Sequence, residues 1–68
     1  MNNNYTVEHI IESNEVKSYE WVFKNFEEAE KKFVSLLSNI KIERAIKVKN
    51  FDVHFVSPNG EEKIIIKQ

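Results

Sequence analysis

A single helical segment with β-type sequence on both sides is the feature that most limits how this chain can fold. Asn25 is a good N-cap for that helix, and Glu28 stands where a capping box places its acidic residue. Asn39 is suited to end the helix in a left-handed conformation. The apolar residues recur at helical spacing and form one stripe: Phe26, Ala29, Phe33, Leu36, Leu37 and Ile40. The pattern predicts one helix packed across one face of a small sheet.

Two strands are predicted before the helix, because residues 5–12 and 16–23 alternate between two faces and residues 13–15 are typical of a turn. One face carries Tyr5, Val7, His9 and Ile11 on the first strand and Tyr19, Trp21 and Phe23 on the second. The aromatic row on the second strand could stack on nucleic-acid bases. Its parity, meaning the face to which alternation along the strand assigns it, instead favours a core position under the helix, which supplies apolar partners of its own.

Residues 42–57 are β-like, but the phase of their alternation slips near Lys49 and Asn50. Either a β-bulge in one long strand or a tight turn between two strands would explain the slip. The absence of glycine there favours the bulge. Residues 57–60 form the strongest turn signal in the chain, and a last strand spans about 61–67, with Ile64 and Ile66 directed inward.

The predicted fold is therefore α+β, in the order β-β-α-β-β, with one helix on one face of an antiparallel sheet. The sheet has four strands, or five if residues 42–57 contain a turn. A chain of 68 residues has room for one domain, residues 1–68, in which we expect residues 1–4 to be a flexible N-terminus.

Composition excludes several classes of function. The chain has no cysteine, and its net charge is −1, with a balance of −3 over residues 1–40 and +2 over residues 41–68. This basic excess is weak for a dedicated nucleic-acid binder. No apolar run approaches a membrane span or a signal-peptide core, so we expect a cytoplasmic protein. With no cysteine and only two histidines, we expect no metal and no cofactor. Enrichment in Asn, Lys, Ile and Glu is typical of AT-rich bacterial or bacteriophage genomes.

The sheet face opposite the helix is the predicted binding surface. A solvated face is normally almost entirely polar, whereas every predicted strand contributes one apolar residue here. The predicted partner-binding residues are Ile10, Val22, His54, Val56 and Ile65. The alternative is that these are ordinary exposed β-branched residues.

Catalytic signals are weak. His54 stands two residues from Asp52 on one strand face, a spacing that could orient a general base, but no nucleophile signature or Gly-rich loop accompanies it. His9 is predicted to be a hydrogen-bonded residue at the edge of the core. The glutamates at 27, 28 and 30 and the Glu61–Glu62 pair are interpreted as solvated charges rather than metal ligands.

These observations predict a non-enzymatic protein-binding module, a regulator or inhibitor that acts through the open sheet face and forms a homodimer. The first alternative is nucleic-acid binding by a basic stripe on the C-terminal strands: Arg44, Lys47, Lys49, Lys63 and Lys67. The second is a small enzyme that uses His54.

Overall fold

A computed structural model describes the backbone of residues 4–40 and 44–68 and the side chains of residues 4–40 and 49–68. Its elements in chain order are β1 (Tyr5–Glu12), β2 (Val16–Phe23), α1 (Phe26–Ser38), β3 (Arg44–Lys49), β4 (Asp52–Ser57) and β5 (Gly60–Lys67). The strands form one antiparallel sheet in the order β2-β1-β5-β4-β3. The predicted α+β class is confirmed, in its five-strand form. The predicted flexible N-terminus lies outside the described residues, apart from Asn4.

The favoured single bulged strand across residues 42–57 is wrong, because a tight turn separates β3 from β4. Asn50 occupies the left-handed region, with φ of 52°, so it takes the turn conformation that a glycine would usually provide. Asparagine tolerates that region better than other non-glycine residues. A register irregularity also occurs, but it lies within β3, between Ala45 and Lys47. Residues 42 and 43 of the predicted strand lie outside the described residues.

The N-cap of α1 is confirmed, because the Asn25 side-chain oxygen accepts the Glu28 backbone N–H at 2.9 Å. The predicted left-handed end is wrong. Asn39 remains right-handed, with φ of −90°, and the Ile40 N–H bonds to the Leu37 carbonyl three residues back. A tightened last turn of this kind satisfies a terminal carbonyl without a left-handed residue.

The core lies between α1 and the sheet, where the helix packs against β5, β1 and β2. Its buried apolar residues are Val7, Ala29, Phe33, Val53, Phe55 and Ile64. Phe51, from the β3–β4 turn, meets the rings of Phe26 and Phe33 edge-on, at centroid distances of 4.9 and 5.5 Å. Edge-to-face contacts of this kind add to the stabilisation from burial.

The aromatic row of β2 lies on the helix side, as its parity predicts. Trp21 and Phe23 are partly buried against the core, and the Lys32 ammonium stands 4.2 Å from the centre of a Trp21 ring. Tyr19 stacks beside Trp21 but remains 45% exposed. The row therefore extends from the core to the margin of the helix.

Candidate functional site

The open face is the side of the sheet that carries Thr6, Glu8, Ile10 and Glu12 of β1. The register places Ile10 opposite Lys63 of β5, and Lys63 opposite His54 of β4. Ile65 lies opposite Glu8 and is therefore a diagonal neighbour of Ile10. Diagonal residues on one face are close enough for long side chains to interact. Ile10 and Ile65 are thus diagonal neighbours across the β1–β5 pair, and we call these two positions the apolar centre of the open face.

The other two apolar residues predicted for this surface do not join that centre. Val22 lies opposite Thr6 on the edge strand β2 and is 60% exposed. Val56 lies opposite Glu61, near the β4–β5 turn. Charged side chains therefore separate the apolar residues, and the register does not bring the predicted set together as one continuous patch.

A depression of about 220 Å³ lies beside this apolar centre and is lined by Ile10, Glu12, His54, Glu61, Glu62 and Lys63. Glu12 and Glu61 lie directly opposite each other on adjacent strands. Like charges at directly opposed positions destabilise a sheet. The depression thus combines an apolar wall, one ammonium group, one imidazole and the opposed carboxylates of Glu12 and Glu61, which repel each other. The carboxylate of the third lining glutamate, Glu62, is hydrogen-bonded elsewhere.

His54 forms one wall of the depression, and its ring is hydrogen-bonded to Asp52, the residue that the sequence spacing suggested. Its Nε2 lies 2.7 Å from Asp52 Oδ1, and both side chains are between one third and two fifths exposed. A carboxylate partner of this kind fixes the orientation of an imidazole ring. Neither strand beside β4 places a serine or threonine opposite His54, since the residues paired with it are Lys47 and Lys63.

Carboxylates interrupt the predicted basic stripe. The Lys67 ammonium contacts the carboxylate of Glu8, a residue only 8% exposed. The hydrogen bond and the charge of Glu8 raise the pKa of Lys67 above its ordinary value. Lys49 is paired with Asp52 in the register, and Lys63 is flanked by Glu61 on the same face.

The two remaining members of that stripe are described by their backbone alone. Lys47 is opposite His54 and Arg44 is opposite Val56. Both positions belong to the edge strand β3, so the five basic residues are spread over the edge and the centre of the sheet rather than along one strand.

A buried polar cluster, which we call the Glu62 cluster, lies on the helix side of the sheet and consists of His9, Ser57 and Glu62. His9 Nε2 lies 2.6 Å from Glu62 Oε2, and the Ser57 hydroxyl donates to Glu62 Oε1 at 2.6 Å. All three residues are less than 9% exposed. His9 is therefore hydrogen-bonded, as predicted, but it is buried rather than at the edge of the core. The interpretation of Glu62 as a solvated charge is wrong.

The hydrogen bonds of the Glu62 cluster hold the β4–β5 turn in place. Ser57 also accepts the Asn59 backbone N–H at 3.1 Å and lies near the Gly60 carbonyl, so its hydroxyl organises the β4–β5 turn. A nucleophilic serine needs substrate access and a base at its hydroxyl. Here the hydroxyl is buried against a carboxylate. The cluster therefore ties the β4–β5 turn to β1 through His9.

Parity alone would have found the Glu62 cluster. Glu62 has the parity of Ile64, and Ser57 has the parity of Phe55 and Val53, all of which face inward.

Among the described residues, no three His, Asp or Glu side chains converge where a metal ion would sit. The helix in the described part of the chain is too short and too polar to cross a membrane. Comparisons with protein-family models, with curated proteins and with solved structures gave no significant match.

Proposed function

We propose that this protein is a small non-enzymatic protein-binding module, a regulator or inhibitor, whose open face holds a basic side chain of a partner protein. The observation that carries the proposal is the direct opposition of Glu12 and Glu61 at the rim of the depression. The repulsion between these carboxylates lowers the stability of the free protein, and a cation placed between them relieves it.

The neighbouring groups define the rest of the ligand. Ile10 forms an apolar wall at the depression, and Ile65 is its diagonal neighbour, so an aliphatic stem or a flanking apolar residue gains contact area there. Lysine and arginine combine an apolar stem with a charged end, which fits this arrangement. The partner is therefore a protein segment that presents Lys or Arg next to an apolar residue.

The size of the depression also favours binding over catalysis. About 220 Å³ is less than the volume of typical small-molecule sites. It suits one side chain of a larger partner, while the surrounding sheet face provides the remaining contact surface. A module of this kind regulates or inhibits by covering a site on its partner.

The test is an NMR titration of the ¹⁵N-labelled protein with two short peptides, one with arginine between two leucines and one with glutamine in its place. We expect the arginine peptide to shift the backbone amide signals of Ile10, Glu12, Glu61 and Lys63, and the glutamine peptide to shift them much less. Equal shifts with both peptides, or none at millimolar arginine peptide, would contradict the proposal.

Substitution of one carboxylate should change stability and peptide binding in opposite directions. Glu61→Gln removes the repulsion, so it should raise the stability of the free protein while it weakens arginine-peptide binding. Glu27→Gln, on the exposed first turn of α1, is the matched control and should leave peptide binding unchanged. A Glu61→Gln variant that binds the arginine peptide as well as the parent would refute the role of the paired carboxylates.

A further inference from the structure

We propose that the edge strand β2 pairs with β2 of a second copy of this chain, antiparallel and centred on Tyr19. Three of the four large apolar residues that the described structure leaves exposed lie on this one strand: Val16 at 70%, Tyr19 at 45% and Val22 at 60%. The inference goes beyond the binding of a partner by the open face and does not depend on it.

The two edges of the sheet differ in how they resist pairing. Strand β3 is six residues long, carries a register irregularity and has lysine at positions 47 and 49. Short length, irregularity and lysine all protect an edge. Strand β2 is eight residues long, pairs with β1 without irregularity, contains no proline and has a single lysine, Lys17. Its outer backbone groups are therefore available to a further strand, as far as the described residues show.

The spacing of the exposed residues selects one register. With Tyr19 opposite Tyr19 of the second copy, Val16 lies opposite Val22 of that copy, and the same pair occurs again across the two-fold axis. Aromatic and β-branched residues at opposed positions stabilise antiparallel pairs. All three exposed apolar residues are then covered by this one contact. Paired residues point to the same face, so both helices lie on one side of a ten-strand sheet.

The two neighbouring symmetric registers, centred one residue to either side of Tyr19, fit less well. Centring the pair on Glu20 places two carboxylates opposite each other, which is unfavourable. Centring it on Ser18 places Val16 opposite Glu20 and leaves Val22 opposite Asn14, beyond the end of the strand. The Tyr19 register instead sets Glu20 opposite Ser18. It also forms about six to eight backbone hydrogen bonds, at two for each hydrogen-bonded pair.

Disulfide trapping tests the register directly, because the chain has no cysteine of its own. Opposed residues in an antiparallel pair have Cα atoms roughly 4.5–5.5 Å apart, within the range that a disulfide spans. Tyr19→Cys should therefore form a covalent dimer on mild oxidation. Lys17→Cys is the control: the two copies of that position lie about 14 Å apart along the strands and should not crosslink. Equal crosslinking of the two variants would overturn the register.

Measurement of the molecular mass in solution tests the same interface without an engineered disulfide. We expect the parent chain to dimerise with rising concentration, and Val16→Lys or Val22→Glu to weaken dimerisation roughly tenfold each, because symmetry repeats each change twice. The variant with both changes sets lysine opposite glutamate twice and should recover dimerisation. Val34→Lys, on the exposed side of α1, is the control. A monomeric parent up to millimolar concentration, or a double variant weaker than both single variants, would overturn the proposal. Neither result bears on arginine-peptide binding.

Discussion

The Glu62 cluster yields an asymmetric prediction about stability. In Glu62→Leu, the Ser57 hydroxyl keeps the Gly60 carbonyl as an alternative acceptor, so the His9 ring is the main group left without a partner. An unsatisfied buried polar group costs about 1–3 kcal/mol. In His9→Leu, the Glu62 carboxylate, only 2% exposed at its side chain, keeps the Ser57 hydroxyl as a donor but loses its ring partner. Stranding one member of a buried pair costs about 3–5 kcal/mol.

We therefore expect His9→Leu to destabilise the protein more than Glu62→Leu does. The combined variant removes both polar groups and should be less destabilised than the sum of the two single variants by at least about 1 kcal/mol. These costs are large for a chain of 68 residues, whose total stability is roughly 3–10 kcal/mol. His9→Leu should thus be partly unfolded at room temperature.

Urea unfolding followed by circular dichroism measures these effects, with Ser35→Ala as a matched control on the exposed side of α1. Each kcal/mol lost from the free energy of unfolding should also lower the thermal midpoint of so small a domain by about 4–8 °C. If the costs of the two single variants simply add, or if Glu62→Leu is the more damaging, the account of a coupled buried pair is incorrect.

Three further predictions concern single positions. Gly60→Ala should destabilise the protein by more than about 1 kcal/mol in urea unfolding, because Gly60 has φ of 124° and an added Cβ would overlap a backbone carbonyl oxygen of β1. Asn25→Ala should cost about 0.5–2 kcal/mol by the same measurement, since the Glu28 N–H loses its cap; an unchanged midpoint would contradict this. Lys67 has a raised pKa, so its ion pair with Glu8 contributes stability below the ordinary lysine pKa of 10.5 and loses it as pH rises through the higher folded value. Lys67→Gln should abolish that alkaline step in a pH series of thermal midpoints.

Local periodicity was sufficient to predict the α+β class, the helix and the faces of most core residues. Alternation separated the inward Val7 and Ile64 from the outward Ile10 and Ile65, and helical spacing identified the stripe that contains Ala29 and Phe33. These patterns depend on neighbours in sequence, which the chain itself provides. The N-cap at Asn25 was predictable for the same reason.

Features that depend on pairing between distant segments were not predictable. Parity assigns Val22 and Val56 to the open face, but the β1–β2 register sets Val22 opposite Thr6 rather than Ile10, and the sheet order places β5 between Val56 and Ile10. The turn at Asn50 resembled a bulge, because both shift the alternation by one residue and no glycine distinguishes them. The alternation along β5 directs Glu62 inward, but the two partners that satisfy its buried carboxylate, His9 and Ser57, are brought to it only by the folded sheet.

The sheet order also bears on the sequence in which the strand pairs form during folding. The two outer hairpins, β1–β2 and β3–β4, join segments that are close in sequence and can form early. The central pair, β1 with β5, aligns Thr6 with Lys67 and so closes nearly the whole chain into a loop. Closure over such a length has a large entropic cost before any contact offsets it. We therefore expect the joining of these two strands to be the slow step of folding, because the outer hairpins share no core until it occurs.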